Sequence, residues 1–212
     1  MKVLFIPKYI VKFVLINDSF INKNHMKKNY FIWIGLIITV LFMSGCLTCE
    51  KKEYTFEFTG KDSGRLTIKF INLMSTMDDT LDISEEDFSS LITDYYEGTE
   101  VENDFPDAVV AGKRLFEENG VLCGEIVLEF TDLAMGHLYQ HNGKGPLMYC
   151  LSCFAIESEY YASSNGEYGG DVMPVVFWDS GLKNLTLSTD VTYPDETTVG
   201  LLDRYKEWKA GQ

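Results

Sequence analysis

Residues 54–70 read YTFEFTGKDSGRLTIKF, and this stretch predicts a β-hairpin. Apolar and polar residues alternate over residues 54–58 and again over residues 66–70, as they do on strands that have one buried face. The intervening GKDSG of residues 60–64 has the composition of a turn. The pattern therefore predicts two antiparallel strands whose apolar faces point into a core.

The chain after the hairpin predicts a helix and then a second hairpin. Ser84 can cap the free N–H groups of a helix, three acidic residues follow it, and Gly98 can end the helix. Asn119-Gly120 is a strong hairpin-turn signal, which favours a strand over residues 109–118, although a helix over residues 108–118 is the alternative. Residues 122–130 alternate clearly and predict the second strand of that hairpin.

The last third of the chain predicts further strands and a closing helix. Strands are expected over residues 147–155, 175–178 and 185–189, and a long polar loop is expected after the first of these. A short helix is expected from Asp132 to about Tyr139. The C-terminal stripe of Leu201, Leu202, Tyr205 and Trp208 has helical spacing.

Together these elements predict an α+β fold for residues 54–212. An antiparallel sheet of about six or seven strands is expected, with a helix after the first hairpin, a C-terminal helix, and the helices on one face. With 46% apolar and 14% aromatic residues, a chain of 212 residues can bury the core of one such domain.

The charge distribution excludes some partners. Residues 1–45 hold six of the 18 basic residues and one of the 32 acidic residues, so the remaining chain has 12 basic and 31 acidic side chains and a net charge of −19. A domain this acidic is repelled by nucleic-acid phosphates and by anionic lipid surfaces. Nucleic acid is therefore excluded as a partner, and membrane attachment has to be covalent.

The N-terminal region has the parts of a secretory signal peptide. Lys27 and Lys28 precede the uncharged run Phe31–Phe42 (FIWIGLIITVLF), and Ser44 and Gly45 supply a small-residue cleavage site. The apolar run is shorter than the roughly 20 residues that span a bilayer as a helix. A cleaved signal peptide over residues 26–45 is therefore favoured over an uncleaved anchor.

The cleavage end, Met43-Ser44-Gly45-Cys46, resembles the lipobox of bacterial lipoproteins, in which Leu is preferred where this chain has Met43. The resemblance implies cleavage after Gly45 and attachment of fatty chains, palmitate among them, to Cys46. Leu47 is not the Asp that usually retains such proteins at the inner membrane, which implies the periplasmic face of the outer membrane. Residues 46–53 are expected to form a lipidated tether. The mature domain resembles, in its layout, small uncharacterised lipoproteins of Gram-negative bacteria.

Residues 1–25 lie upstream of the signal peptide. Their Lys, Asn, Ile, Phe and Tyr content is typical of AT-rich codons, which favours Met26 as the true start over an extended n-region that begins at Met1. N-terminal mass analysis of an unprocessed precursor would distinguish these two starts.

Four cysteines other than Cys46 are available for chemistry. Cys150 and Cys153 form a C-x-x-C motif, which could be a redox pair or half of a metal site. Because the motif falls in an expected strand, where residues three apart point to opposite faces, buried thiols or halves of separate disulfides are favoured. Together with Cys49 and Cys123, these two cysteines could form two disulfides, and all three ways of pairing the four residues remain possible.

Two histidines are weak metal candidates. His137 and His141 have the i, i+4 spacing that places two imidazoles on one face of a helix, and with Cys150 and Cys153 they complete the ligand set of a Cys₂His₂ zinc site. Exposed loop histidines are the favoured interpretation, because the strand expected at the cysteines opposes that site. No cofactor is predicted.

The segment over residues 157–171 is the candidate binding loop. Tyr160, Tyr161 and Tyr168 stand among Ser, Asn and Gly, a composition that recognition loops share. An ordinary sheet connection whose tyrosines cover the core edge is the favoured alternative.

These patterns lead to three functional hypotheses. The first is a non-enzymatic, lipid-anchored binding or assembly module of the cell envelope with an envelope protein as partner. The second is an envelope enzyme, a metal-assisted hydrolase. The third is a redox or metal-handling lipoprotein that uses Cys150 and Cys153. The sequence contains none of the common hydrolase or nucleotide-binding motifs.

Overall fold

The hairpin predicted from residues 54–70 lies at the centre of the fold. The structure is a computed structural model that describes residues 47–77, 81–153 and 159–212. Strand β1 (Leu47–Phe58) pairs antiparallel with β2 (Gly64–Thr76), with Phe56 opposite Leu66. The hairpin prediction is confirmed. The lipobox and the signal peptide lie outside the described residues.

The first strand is longer than the alternation alone predicted. β1 begins at Leu47, and Leu47 is already paired with Ser75 of β2. The expected tether over residues 47–53 is therefore wrong, because these polar residues occupy a strand that has a neighbour on each side.

Nine further strands complete the β structure. They are β3 (Val109–Glu118), β4 (Val121–Phe130), β5 (Leu138–Gln140), β6 (Leu147–Cys150), β7 (Tyr160–Ser164), β8 (Glu167–Tyr168), β9 (Val175–Trp178), β10 (Asn184–Asp190) and β11 (Thr198–Gly200). The β3–β4 turn has positive φ at both Asn119 and Gly120, as a type I′ hairpin requires, so the strand interpretation of residues 109–118 is confirmed.

The strands form two antiparallel sheets where one was expected. The large sheet has the order β3-β4-β2-β1-β10-β7, and β11 adds to the far end of β2. The small sheet has the order β5-β6-β9-β8. The chain crosses from the large sheet to the small one between β7 and β8, within the segment that was expected to be a loop.

The sheets bury a shared core. Phe56 and Leu66 of the large sheet and Tyr149 and Trp178 of the small sheet belong to one cluster of buried side chains. The opposite face of β2 and β4 carries ion pairs such as Arg65–Glu129, which matches the alternation in the sequence.

The described residues include three short α-helices, of which the first and third cover a second cluster of buried side chains, while the second adds Val101 to the first cluster. They are α1 (Ser84–Ser90), which continues into a π-helical turn at Leu91–Tyr96, α2 (Glu100–Asp104) and α3 (Leu202–Ala210). Leu91 and Ile92 pack there with Leu201 and Tyr205, so the predicted C-terminal helix and its apolar stripe are confirmed.

The cap of α1 differs from the prediction. Ser84 is the first helical residue and its own side chain caps nothing, while the carboxylate of Asp82 accepts a hydrogen bond from the Ser84 N–H at 2.9 Å. This bond lowers the pKa of Asp82. The architecture of the described residues, which belong to one compact unit, is thus mostly β with a minority of helix.

Two predicted elements are shorter than expected. The strand expected over residues 147–155 ends at Cys150, where a turn begins. The helix expected after Asp132 is a single 3₁₀ turn, Leu133–Gly136, because His137 adopts a left-handed conformation and the chain then enters β5. Asp132 does cap that turn, since its carboxylate accepts from the Ala134 N–H at 2.9 Å.

Candidate functional site

A buried polar cluster lies at one end of the core between the sheets. Lys52 and Tyr54 belong to β1, Thr189 stands opposite Lys52 on β10, and Glu159 immediately precedes β7. The Glu159 carboxylate accepts hydrogen bonds from Lys52 Nζ at 3.0 Å, from Tyr54 Oη at 3.0 Å and from Thr189 Oγ1 at 2.9 Å. We call these four residues the Glu159 cluster.

The cluster is withdrawn from water. The side chain of Glu159 is 4% exposed and that of Lys52 is 16% exposed. Burial raises the pKa of Tyr54, as do the neighbouring Tyr149 and Glu159. The Tyr54 phenol therefore stays protonated and serves as a donor to the carboxylate.

This arrangement suits structure better than catalysis. Oε1 of Glu159 receives Lys52 and Tyr54, and Oε2 receives Tyr54 and Thr189, so both carboxylate oxygens are occupied. A general base has to reach a proton on a substrate. We therefore interpret the Glu159 cluster as an ion pair that holds the start of β7 against β1 and β10.

The sequence contained a signal for one member of the cluster. In β1 the even-numbered positions Tyr54 and Phe56 face the core, and Lys52 continues this series as a charged residue. A charge on an apolar face calls for a buried partner. Glu159 lies in a polar stretch without periodicity and could not have been identified as that partner.

His137 and His141 do not form a helical pair. The ring of His137 stacks on Phe105 with centroids 4.4 Å apart, and burial lowers the pKa of His137. His141 is exposed, and its ring nitrogens lie near Tyr139 Oη and Asn142 Nδ2. The two residues do not lie on one face of a helix, because the chain between them forms strand β5.

The cysteines of the C-x-x-C motif are joined to each other. Cys150 and Cys153 form a disulfide with a Cα–Cα distance of 5.4 Å. The preference for separate thiols was wrong, because the strand ends at Cys150 and the following turn returns Cys153 to it. Cys49 and Cys123 are buried and are not disulfide-bonded, so only one bridge forms among these four described residues.

Bridged sulfurs have no thiolate to offer a metal, and the proposed Cys₂His₂ set is therefore not assembled in this state. Within residues 47–77, 81–153 and 159–212, no group of three or more His, Cys, Asp or Glu side chains is arranged to hold a metal ion.

The tyrosines of the candidate binding loop have separate roles. Tyr161 of β7 and Tyr168 of β8 are half-buried and stack in parallel, with ring centroids 4.1 Å apart and an interplanar angle of 3°. Their rings cover the core edge where the chain passes between the sheets. Tyr160 is 62% exposed and stands at the start of β7.

Asn165 fixes this crossing. Its Oδ1 accepts from Trp178 Nε1 in the small sheet and from the Thr186 N–H in the large sheet, both at 2.8 Å. Its Nδ2 donates to the Asn184 carbonyl at 2.9 Å. One side chain therefore links both sheets, and the edge formed by β7 is held rigidly.

A shallow groove lies between α1 and α3. Phe88, Ile92 and Trp208 line its floor, and Glu85, Arg204 and Glu207 line its rim, around a volume of about 300 Å³. Glu85 and Glu207 are largely exposed. This groove does not include the histidines or the disulfide, so it does not support the hydrolase hypothesis.

Comparisons of the chain with protein-family models, with curated proteins and with solved structures found no significant match. Among the helices of the described residues, none has the length and apolar character needed to cross a bilayer.

Proposed function

We propose that this chain is a bacterial lipoprotein, anchored through fatty chains on Cys46, whose domain binds an envelope protein at the periplasmic face of the outer membrane. The observation that carries the proposal is the Met43-Ser44-Gly45-Cys46 motif, which directly precedes β1. A single acyl chain holds a protein only marginally, but two or more chains anchor it stably.

The start of β1 supports close attachment. Leu47 pairs with Ser75, and Thr48 Oγ1 lies 2.7 Å from Thr192 Oγ1. A lipid on Cys46 would therefore be one residue from a fixed strand, and the domain would be held at the bilayer in a limited range of orientations. Since the domain is strongly acidic, this attachment depends on the lipid and not on surface charge.

The two edge strands of the large sheet, β3 and β7, differ in how well they are protected against pairing with a strand of another chain. β3 carries Lys113, Arg114, Glu117 and Glu118 and has a register shift between Val110 and Gly112, features that discourage pairing with another chain. β7 reads Tyr-Tyr-Ala-Ser-Ser and has no charged residue. Among the described strands, none pairs with the outer side of β7. β7 is therefore the edge suited to strand addition.

The exposed edge and the negative charge of the domain restrict the kind of molecule that can pair with β7. An added strand would pair with the backbone of β7 and contact the exposed Tyr160. A second copy of this chain is disfavoured because each copy has a net charge of −19 beyond residue 45. The occupant we propose is an extended, neutral or basic segment of another envelope protein.

Membrane attachment is tested by substitution of the lipidated residue. Cys46→Ser in the full chain is expected to abolish incorporation of labelled palmitate and to move the protein out of the membrane fraction. Cys49→Ser is the matched control, because Cys49 is a buried cysteine outside any disulfide that also lies near the start of β1. Equal palmitate labelling of the Cys46→Ser variant and the wild-type chain would contradict the anchor.

The binding edge is tested by adding a charge. Ala162→Lys places an ammonium group on β7 and is expected to abolish photocrosslinking of an envelope protein to a reactive group at Ser163, because edge lysines oppose strand addition. Ala111→Lys adds the same charge to β3 and is the control. Both positions are exposed, so both variants are expected to fold. A crosslinked homodimer, or equal crosslinking of both variants, would refute the proposed edge.

A further inference from the structure

The disulfide between Cys150 and Cys153 lies where other molecules can reach it, a position that suits reaction better than stabilisation of the fold. Cys153 is exposed and Cys150 is half-exposed, while Cys49 and Cys123, which are outside any disulfide, are only 2% and 1% exposed. The sulfurs that have become oxidised are therefore the ones that a second molecule can reach. Reactive cysteines are accessible ones, whereas buried cysteines are inert.

The bridge adds little to the fold. It joins residues three apart, and the chain entropy that a disulfide removes from the unfolded state grows with the length of the closed loop. The turn is also held by other contacts, because the Leu151 N–H donates to the Pro174 carbonyl at 2.9 Å and the Leu151 side chain is 2% exposed. β6 is paired on both sides, with β5 and with β9. The domain can therefore keep its structure when the bridge opens.

The two sulfurs differ in their surroundings. The hydroxyl of Ser152 lies 3.9 Å from Cys150 Sγ, and it is the donor because a disulfide sulfur carries no hydrogen. A donor at this position would stabilise negative charge on Cys150 when the bridge breaks. Cys153 is the more exposed of the two and is the sulfur that an incoming group can approach.

From this geometry we propose that Cys150 and Cys153 form a thiol–disulfide exchange site whose substrate is a pair of reduced cysteines on another protein or peptide. A substrate thiolate attacks Cys153 Sγ, a new S–S bond forms, and the Cys150–Cys153 bond breaks. Cys150 leaves as a thiolate beside Ser152 and takes up a proton.

The second substrate thiol then loses its proton and attacks the sulfur of the first substrate cysteine. This step releases Cys153 as a thiolate, which is protonated. The substrate dithiol has then lost two electrons and two protons to become a disulfide, and the domain has gained both as two thiols. An exported chain would carry out this reaction in an oxidising compartment.

The test uses the full chain in detergent micelles and a synthetic peptide with two reduced cysteines. We expect up to one peptide disulfide per chain, with new thiols found by alkylation and mass analysis at residues 150 and 153. The tryptophan fluorescence of the chain, to which the buried Trp178 contributes, should not change. Cys49→Ser and Cys123→Ser should react as the wild-type chain does, and Ser152→Ala should react several-fold more slowly.

Variants that keep only one of the two cysteines test which of the two sulfurs exchanges with the substrate. Cys150→Ser, mixed with the oxidised peptide, should accumulate a mixed disulfide at residue 153, and Cys153→Ser should form the corresponding adduct at residue 150 more slowly. The proposal fails if the wild-type chain oxidises no more peptide than the Cys150→Ser/Cys153→Ser variant. It also fails if the bridge is reduced only when the tryptophan fluorescence of the chain shows unfolding, which would make it a purely structural bond. Equal adduct rates would overturn Cys153 as the attacked sulfur.

Discussion

Glu159→Gln is expected to destabilise the protein by about 3 kcal/mol, because removal of one partner from a buried ion pair is strongly destabilising. The glutamine side chain can still accept hydrogen bonds from Tyr54 and Thr189, but it no longer neutralises Lys52. Lys52 is 16% exposed, so water replaces the lost carboxylate only in part. The free energy of unfolding can be measured by urea titration with the tryptophan fluorescence of the chain as the signal.

Two further variants isolate the ion pair. Glu129→Gln removes the carboxylate of the Arg65–Glu129 pair, whose side chains are 50% and 55% exposed, and should change the stability by less than about 1 kcal/mol. Adding Lys52→Met to Glu159→Gln should recover much of the lost stability, because the buried ammonium group that faced the Glu159 carboxylate is then removed as well. A loss for Glu159→Gln no larger than that for Glu129→Gln would show that the cluster is open to solvent.

Phe56→Ala is expected to reduce the stability by about 3–5 kcal/mol, the range for removal of a buried aromatic ring. Phe56 is 0% exposed, and its ring centroid lies 6.1 Å from that of Tyr149 and 6.4 Å from that of Trp178. Together with Tyr54, whose ring centroid lies 5.5 Å from that of Tyr149, it is a residue of β1 through which the large sheet contacts the small one. Its loss leaves a cavity between the sheets, which urea titration would register as a lower unfolding midpoint.

Phe116→Ala is the matched control for this prediction. Phe116 is half-exposed on β3, where the Arg114 guanidinium lies 4.5 Å from its ring centroid. Its replacement should reduce the stability by only about 1 kcal/mol, because less apolar area is removed from burial. Similar losses for Phe56→Ala and Phe116→Ala would mean that the sheets do not depend on the packing of Phe56.

Phe56 and the Glu159 cluster both hold the small sheet and the start of β7 on the large sheet. Phe56 supplies apolar contact, and the Glu159 cluster supplies the polar contact beside it. Asn165 supplies hydrogen bonds to both sheets at the crossing. The β7 edge, on which the proposed binding depends, is positioned by these contacts.

The sequence by itself determined the local elements. Alternation with period two predicted β1, β2, β4 and β10, and Asn119-Gly120 predicted the turn between β3 and β4. The apolar stripe of the C-terminal helix was equally clear. These elements can be predicted because, within one short segment, apolar residues recur at the spacing at which side chains face the core.

The tertiary structure alone decided the number of sheets, the partners of Lys52 and the pairing of the cysteines. Short segments such as β5 and β8 have too few residues for a period to appear, and their pairing depends on strands distant in the chain. Cys150 and Cys153 meet because β6 ends at Cys150 and a turn follows it, although the apolar sequence had predicted a strand to residue 155. Contacts between residues that are far apart in the chain are set by packing. They produce no repeating pattern of apolar residues, so they cannot be predicted from a single sequence.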